Sequence, residues 1–285
     1  MSIDQRARPG PPPEATAAGR FIDVGPGKLY AHVRDGDGPT LVFLHYWGGS
    51  HRTWTPVIRH LGTRRPIVGY DQRGWGASNT VPGPYHLDQL ADDTLRVVAA
   101  CALDSFVLVG HSMGGKVAQL VAARRPPGLR GLVLVAPAPP SPVDVGPAQQ
   151  EALVHAYDSA ETVGQSIDAV LTRHGLDPVL RDQVVEDSLR GAFGARTSWP
   201  RDGLVRDITA AAAAIDVPAL VLAGDEDRVE SPQTLTRHLL PHLGTATMRV
   251  LAGTGHLSPL EVPEQVATAV EVFVAGLGRR QEEDR

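Results

Sequence analysis

The sequence predicts an α/β fold: a mostly parallel, eight-stranded sheet with helices on both faces. Two observations carry this prediction. Short apolar runs rich in Val and Leu recur along the chain, and segments with helical spacing separate them. Such apolar runs are typical of parallel strands that are covered on both faces. Their alternation with helices favours a sheet packed between two helical layers.

Eight short segments can be assigned to strands in chain order. The first two, residues 21–24 and 29–33, flank Gly25-Pro26-Gly27 and predict a hairpin. Four of the other six are continuous apolar runs, at residues 41–44, 106–109, 132–136 and 219–223. Residues 67–70 and 248–251 are weaker members of the set.

Three segments outside the strands have the spacing of amphipathic helices. Residues 87–102 place apolar side chains close to a 3.6-residue period. Residues 114–124 follow a strand directly and end before Pro126-Pro127. Residues 262–273 carry Pro263 near the first turn, which is a position that helices tolerate.

The region from residue 137 to about residue 203 interrupts this alternation. It opens with a proline-rich run, shows no convincing buried strand and then follows the pattern of several amphipathic helices. We expect an insertion over one end of the sheet, with a separate small domain as the alternative. The predicted organisation is a disordered tail over 1–19, a core over 20–137 and 204–278, a helical insertion over 138–203 and a polar tail over 279–285.

The composition excludes several classes of function. At about 150 residues per domain, the 285 residues suffice for two domains or for one large domain with an insertion. A net charge of −5 gives no electrostatic reason to expect nucleic acid or an anionic membrane as partner. The single cysteine, Cys101, excludes an intramolecular disulfide framework and a multi-thiolate metal site.

The sequence shows no targeting or membrane segment. No stretch has the roughly 18 consecutive apolar residues that span a bilayer. The N-terminal residues lack the apolar region of a secretory signal. We therefore expect a cytoplasmic protein with no membrane partner. The oligomeric state is left open, with a homodimer as one option.

The segment Gly110-His111-Ser112-Met113-Gly114 matches the pattern G-x-S-x-G. It lies between a predicted strand and a predicted helix, which is the context that a nucleophilic serine of this pattern requires. A sharp strand-to-helix turn raises the hydroxyl above the sheet, and larger side chains two residues away would collide with the turn. The alternative is an ordinary turn serine flanked by glycine. The context favours Ser112 as a nucleophile.

A serine hydroxyl needs a base, and the base needs an orienting carboxylate. His256 is the best candidate base because it lies in a glycine-rich loop between the last strand and the last helix. Asp227 is the preferred acid, since it follows the strand at 219–223 directly, and Asp225 is its competitor. The order serine, acid, histidine along the chain is that of an α/β-hydrolase triad.

The oxyanion of an acyl-transfer reaction needs two hydrogen-bond donors. One is predicted to be the backbone N–H of Met113, the residue after the nucleophile. The other is predicted in the loop that follows the strand at 41–44, where the N–H of Trp47 is the best candidate.

These residues resemble the α/β-hydrolase superfamily, in particular its cap-bearing esterases, cofactor-free haloperoxidases and C–C hydrolases. The resemblance runs from about residue 21 to residue 277. It includes residues 71–78, which are similar to the family's D-x-R-G-x-G-x-S loop, and residues 260–264 after His256. The family's G-x-x-D pattern puts the acid at Asp227. The family's cap is inserted after the sixth strand, so the resemblance implies that 138–203 roofs the pocket and selects the substrate.

One residue departs from the family pattern. The family usually has His-Gly before the oxyanion residue, whereas Tyr46 stands here in the second position. Its side chain could narrow the acyl pocket, offer a phenol to the oxyanion or prevent the usual backbone conformation. We expect Tyr46 and His111 to line the substrate pocket.

The predicted function is a serine hydrolase that cleaves carboxylic esters of a small to medium apolar substrate through an acyl-enzyme. Perhydrolysis in the manner of the cofactor-free haloperoxidases and C–C bond hydrolysis are alternatives on the same triad. A non-catalytic small-molecule receptor on a hydrolase scaffold is the alternative from another class. The sequence has no H-E-x-x-H motif and no P-loop, so we expect neither a metal nor an organic cofactor.

Overall fold

A computed structural model describes residues 18–62 and 64–283 of the chain. Eight strands form one sheet in the spatial order β1-β2-β4-β3-β5-β6-β7-β8. The first three neighbours, β1, β2 and β4, pair antiparallel, and all later pairs are parallel. The strands are β1 (Ala18–Asp23), β2 (Lys28–Arg34), β3 (Thr40–Leu44), β4 (Ile67–Tyr70), β5 (Phe106–His111), β6 (Leu129–Val135), β7 (Ala219–Gly224) and β8 (Ala246–Leu251).

The described residues form eleven α-helices, joined by short 3₁₀ and π turns. The helices of the core are α1 (Thr55–His60), α2 (Leu87–Ala100), α3 (Met113–Ala123), α8 (Thr209–Ala212), α9 (Pro232–His238), α10 (Ser258–Glu261) and α11 (Pro263–Glu283). The helices of the insertion between β6 and β7 are α4 (Pro147–Val154), α5 (Ala160–Ser166), α6 (Pro178–Arg190) and α7 (Phe193–Ser198).

Helices cover both faces of the sheet, which explains the continuous apolar runs. In β3, Val42 and Leu44 pack into the core layer that contains α2 and α3, while Leu41 and Phe43 pack into the layer with α1 and α11. Successive side chains of a strand point to opposite faces, so a strand between two layers needs apolar residues at every position. The predicted fold class is therefore confirmed.

Two boundaries differ from the prediction. Strand β1 begins at Ala18, inside the tail predicted for 1–19, because Ala18 and Gly19 pair with Val33 and His32 in the hairpin. Helix α11 continues to Glu283, inside the polar tail predicted for 279–285, because Arg, Gln and Glu are good helix formers. The rest of the two predicted tails, residues 1–17 and 284–285, lies outside the described residues.

Among the described residues, no helix has both the length and the apolarity needed to cross a lipid bilayer.

Candidate active site

Ser112 lies at a strained turn between β5 and α3. Its backbone has φ 51° and ψ −115°, a conformation that L-residues rarely adopt. A Cβ on Gly110 would lie 2.5 Å from the carbonyl oxygen of Gly114. A Cβ on Gly114 would lie 2.6 Å from the carbonyl oxygens of Leu44 and His45. The two glycines therefore allow this sharp turn to pack against the end of β3.

The structure brings together the serine, histidine and aspartate that the sequence predicts. His256 Nε2 lies 2.9 Å from Ser112 Oγ, and His256 Nδ1 lies 2.9 Å from Asp227 Oδ2. All three residues are buried, with 8% of Ser112 exposed. The competitor Asp225 is exposed and accepts a hydrogen bond from the backbone N–H of Thr254 instead. Asp227 is thus the carboxylate that can orient the imidazole.

Both oxygens of Asp227 are occupied. Oδ1 accepts the backbone N–H groups of Val229 (2.7 Å) and Glu230 (3.0 Å), which leaves Oδ2 for His256. Burial by itself raises the pKa of this carboxyl group. The charge and hydrogen bond of His256, with the two N–H groups, outweigh burial and lower the pKa below its usual value. The carboxylate is therefore ionised at neutral pH and can stabilise an imidazolium.

His111, which we expected in the substrate pocket, is fully buried beside the triad. Its Nε2–H donates to the backbone carbonyl of His256 at 2.8 Å. Burial, and then the electrostatic effect of His256, lower the pKa of His111 to about 3, so the ring is neutral. His111 thus helps to hold the loop of His256 in place.

Glu261 is a second residue that holds this loop, and no role was predicted for it. Its carboxylate accepts the backbone N–H of Gly255 (3.0 Å) and, across the site, the backbone N–H of Arg173 from the insertion (2.7 Å). Its place in the motif after His256 was the only available signal.

The two predicted oxyanion donors are available. Met113 is the first residue of α3, so its N–H has no partner within the helix. The backbone hydrogen bonds found in the described part of the chain do not use the N–H of Trp47. The peptide that carries this N–H is fixed, because the Tyr46 carbonyl accepts from His45 Nδ1 (2.7 Å) and from the N–H of Gly49 (3.0 Å). In a trans peptide the N–H points opposite to the carbonyl, so these bonds set its direction.

His45, like Glu261, has a positioning role that the sequence did not predict. Its Nε2 accepts the backbone N–H of Gln72 at 3.0 Å, so Nδ1 carries the proton that binds the Tyr46 carbonyl. Gln72 Nε2 donates in return to the carbonyl of His45 at 2.7 Å. Burial lowers the pKa of His45 to about 4 and keeps the ring neutral. Its position at the end of β3 was the signal that could have found it.

The loop at residues 71–78 supports the site without joining it. The Asp71 carboxylate accepts the N–H of His51 (2.7 Å) and the N–H of Ala77 (2.7 Å). Arg73 forms a fully buried, bidentate ion pair with Asp93, with both N···O distances 2.7 Å. These contacts fix the loop that also anchors His45 through Gln72.

Tyr46 is a buried residue of the oxyanion loop, which we define as residues 45–50. Its ring lies 5.1 Å from the ring of His111, and burial raises the pKa of its phenol well above the usual value. Its φ lies outside the left-handed region, so the side chain causes no strain of that kind.

A narrow cleft lies beside Met113, the residue after Ser112, between the core and the insertion. Its lining includes Met113, Trp75 and Leu87 from the core, and Ala195 and Trp199 from the insertion. Neither of the two residues predicted for the pocket, Tyr46 and His111, lines this cleft, and their rings lie next to each other.

The chain is similar to known proteins over most of its length. Residues 41–269 match the family model described as "Alpha/beta hydrolase family". The 3-oxoadipate enol-lactonase 2 of Acinetobacter baylyi is 26% identical over 251 residues, covering 86% of this chain and 92% of the relative. The non-heme haloperoxidase of Rhodococcus erythropolis is 27% identical over 265 residues, covering 83% and 92%. The esterase of Exiguobacterium antarcticum shares the fold, with TM-score 0.79, 20% identity and coverage of 90% and 100%.

Proposed function

Because the chain belongs to the alpha/beta hydrolase family, we propose that it is a serine hydrolase that cleaves carboxylic esters through an acyl-enzyme. The observation that carries the proposal is the hydrogen-bonded series Ser112–His256–Asp227, with 2.9 Å at each step. A hydroxyl, an imidazole and an ionised carboxylate in this order make an activated nucleophile.

The first half of the reaction forms the acyl-enzyme. Ser112 Oγ attacks the ester carbonyl carbon while His256 Nε2 takes the hydroxyl proton. The carbonyl oxygen becomes an oxyanion, which accepts hydrogen bonds from the N–H groups of Met113 and Trp47. The intermediate collapses when His256 gives the proton to the departing alcohol oxygen.

The second half releases the acid. Water replaces the alcohol, gives a proton to His256 and adds to the acyl carbon. The second tetrahedral intermediate then expels Ser112, which regains its proton from His256. Asp227 holds the imidazole in the tautomer that both halves need and stabilises its charged form.

The surroundings of the triad support a small to medium apolar acyl group. The cleft beside Met113 is narrow, and Trp75, Leu87 and Trp199 give it an apolar lining. Open-chain esters and cyclic esters both fit this chemistry, and the likeness to an enol-lactonase favours including the cyclic ones.

The test uses a series of p-nitrophenyl esters from acetate to octanoate. Ser112→Ala is expected to lower kcat by about 10⁴–10⁶, and Asp227→Asn by about 10⁴. Asp225→Asn also replaces a carboxylate by an amide in the same loop. Because Asp225 lies outside the triad, we expect the kcat of this variant to stay near the wild-type value. Activity that survives in Ser112→Ala, or equal losses in the two aspartate variants, would contradict the proposal.

Perhydrolysis is a second candidate, and the likeness to a non-heme haloperoxidase favours it. Hydrogen peroxide would then replace water as the acceptor of the acyl group, so that a peracid leaves in place of the acid. The same assay with peroxide separates the two reactions, because only perhydrolysis makes a peracid that oxidises bromide. A pure ligand receptor would show binding with no Ser112-dependent turnover.

A further inference from the structure

The oxyanion loop is bound to the inserted helices as well as to the core. The hydroxyl of Tyr157, between α4 and α5, donates to the Trp47 carbonyl at 2.8 Å. The indole N–H of Trp47 donates to the carbonyl of Arg196 in α7 at 2.9 Å. The hydroxyl of Ser188 in α6 donates to the Gly48 carbonyl at 3.0 Å. Three separate segments of the insertion thus form hydrogen bonds with two adjacent residues of the loop, Trp47 and Gly48.

Tyr157 makes the most extensive of these contacts. It is buried, and its ring lies over the indole of Trp47 with 4.1 Å between the ring centres. A Cβ on Gly48 would lie 2.6 Å from the Tyr157 ring, and Gly48 has φ +97°. Glycine is therefore needed here both for the turn and for the approach of the tyrosine. The loop and the insertion fit each other at this point.

These bonds complete the immobilisation of Trp47. The peptide before Trp47 is held from the core, through the Tyr46 carbonyl and His45. The peptide after Trp47 is held from the insertion, through the Tyr157 hydroxyl. With both peptides and the indole fixed, the backbone of Trp47 has little freedom left. Catalysis by hydrogen-bond donors depends on such fixed positions, since a donor that must reorganise stabilises the transition state less.

We propose that Tyr157 is a positioning residue for the oxyanion hole, acting on the Trp47 N–H from the inserted helices. This inference rests on the proposed function, because it assumes that the Trp47 N–H binds an oxyanion. It makes the insertion part of the catalytic apparatus in addition to a cover over the pocket. Tyr157 itself contacts no reacting atom in this scheme.

The test is Tyr157→Phe, which removes one oxygen and keeps the ring against Trp47. We expect kcat on p-nitrophenyl butyrate to fall about 10-fold, less than the 10²–10³ of a lost donor, with KM changed by less than about two-fold. The affinity for an apolar trifluoromethyl ketone, which forms a tetrahedral adduct with the serine, should fall by about the same factor as kcat.

The matched control is Thr197→Val, which removes a buried hydroxyl from the same insertion. The Thr197 hydroxyl donates to the Phe193 carbonyl within α7 at 3.0 Å, so this hydrogen bond stays within the helix and does not involve the oxyanion loop. This variant should keep the wild-type kcat and the wild-type ketone affinity. A merely structural role of Tyr157 predicts equal effects on kcat for the two variants.

A second variant covers the case in which Tyr157→Phe does not fold. Ser188→Ala removes the bond to the neighbouring Gly48 carbonyl and should lower kcat in the same direction, about three-fold, again without a matching rise in KM. Wild-type kcat in a folded Tyr157→Phe, or a change in KM alone, would overturn the inference.

Labelling with an alkyl fluorophosphonate separates this failure from failure of the proposed function. If the wild-type protein neither turns over esters nor takes the label at Ser112, the proposed function fails, and the inference fails with it. If the wild type is labelled and active and Tyr157→Phe matches it, only the inference fails.

Discussion

At the scale of single residues, the geometry of the candidate site depends on side chains that have no predicted contact with the substrate. His45 connects the oxyanion loop to the 71–78 loop through one donated and one accepted hydrogen bond. Both bonds require a neutral ring with the proton on Nδ1. Burial that lowers its pKa to about 4 maintains this state across the pH range of most assays.

His45→Phe should therefore impair both stability and catalysis. The phenyl ring fills a similar volume but leaves the Gln72 N–H and the Tyr46 carbonyl without their ring partners. Each buried polar group that loses a partner costs about 1–3 kcal/mol, so we expect unfolding free energy to fall by about 2–4 kcal/mol. We also expect kcat to fall about 10-fold while KM changes little, because the Trp47 N–H loses its orientation.

Urea unfolding and steady-state kinetics check this prediction, with His60→Phe as the control. His60 is an exposed residue at the end of α1, and the same substitution there should leave kcat unchanged. A folded His45→Phe variant with wild-type kcat would show that the imidazole does not position the loop.

The candidate reacting groups were easier to predict from the sequence than the residues that hold them. A nucleophile at a strained turn requires glycine on both sides, so local geometry marks Ser112 in the sequence. Tyr157 and Trp47 are 110 residues apart, and His111 and His256 are 145 residues apart. No local pattern marks such pairs, because only the folded chain brings them together. Tyr46 and His111 were expected in the pocket from their positions in the sequence, and neither lines the cleft beside Met113.

At the scale of elements, strands β3 to β7 were predictable because each is a mostly apolar run that is buried in the sheet. Strands β1, β2 and β8 are partly exposed, and the hairpin pattern or a weaker apolar run predicted them. The ends of elements were less predictable, since backbone pairing extends β1 to Ala18 and helix propensity extends α11 to Glu283. The helical nature of the insertion was also evident from its pattern. Its contacts were not, because packing against the core decides them.

The insertion should control the length of the acyl group. Trp199 follows α7 and lines the cleft beside Met113. Trp199→Ala removes a large ring from that lining, so longer acyl chains should fit. We expect kcat/KM for p-nitrophenyl octanoate relative to the butyrate to rise about 10-fold, a modest effect for four methylene groups.

Phe193→Ala is the matched control for this prediction. It removes an aromatic ring from the same part of the insertion, but Phe193 is 66% exposed and does not line the cleft. The ratio of octanoate to butyrate should therefore stay at its wild-type value. An unchanged ratio in Trp199→Ala would place the acyl group elsewhere.

At the scale of the whole molecule, the stability of the fold includes the cost of a charge in the core. Lys116 lies on α3, four residues after Ser112, and is fully buried. Its Nζ has no hydrogen-bond partner among the described residues. Burial lowers the pKa of Lys116 from 10.5 to about 8, although the nearby carboxylates of Glu230 and Asp207 act in the opposite direction. At neutral pH the folded protein therefore holds a poorly solvated ammonium group.

The direction of the pH dependence follows from proton binding. Between about pH 8 and pH 10.5 the unfolded chain keeps the Lys116 proton while the folded chain has released it. The unfolded state then binds more protons, so this residue makes the free energy of unfolding rise with pH across that window. Below about pH 8 the folded state bears the full cost of the charge.

Lys116→Met should accordingly stabilise the protein at pH 7. The shift from 10.5 to about 8 corresponds to about 3 kcal/mol, which we take as the upper limit of the gain. The gain should shrink as the pH rises from 8 to 10, because the wild-type protein loses its penalty there. Urea unfolding of both proteins at pH 7, 8.5 and 10 measures this difference. The titratable groups that the two proteins share contribute equally to both free energies, so their pH dependence cancels.

Lys28, the other lysine of the sequence, is exposed in β2, so Lys28→Met should give no gain at any of these pH values. A Lys116→Met gain that is absent at pH 7, or that persists undiminished at pH 10, would contradict a charged ammonium in the core.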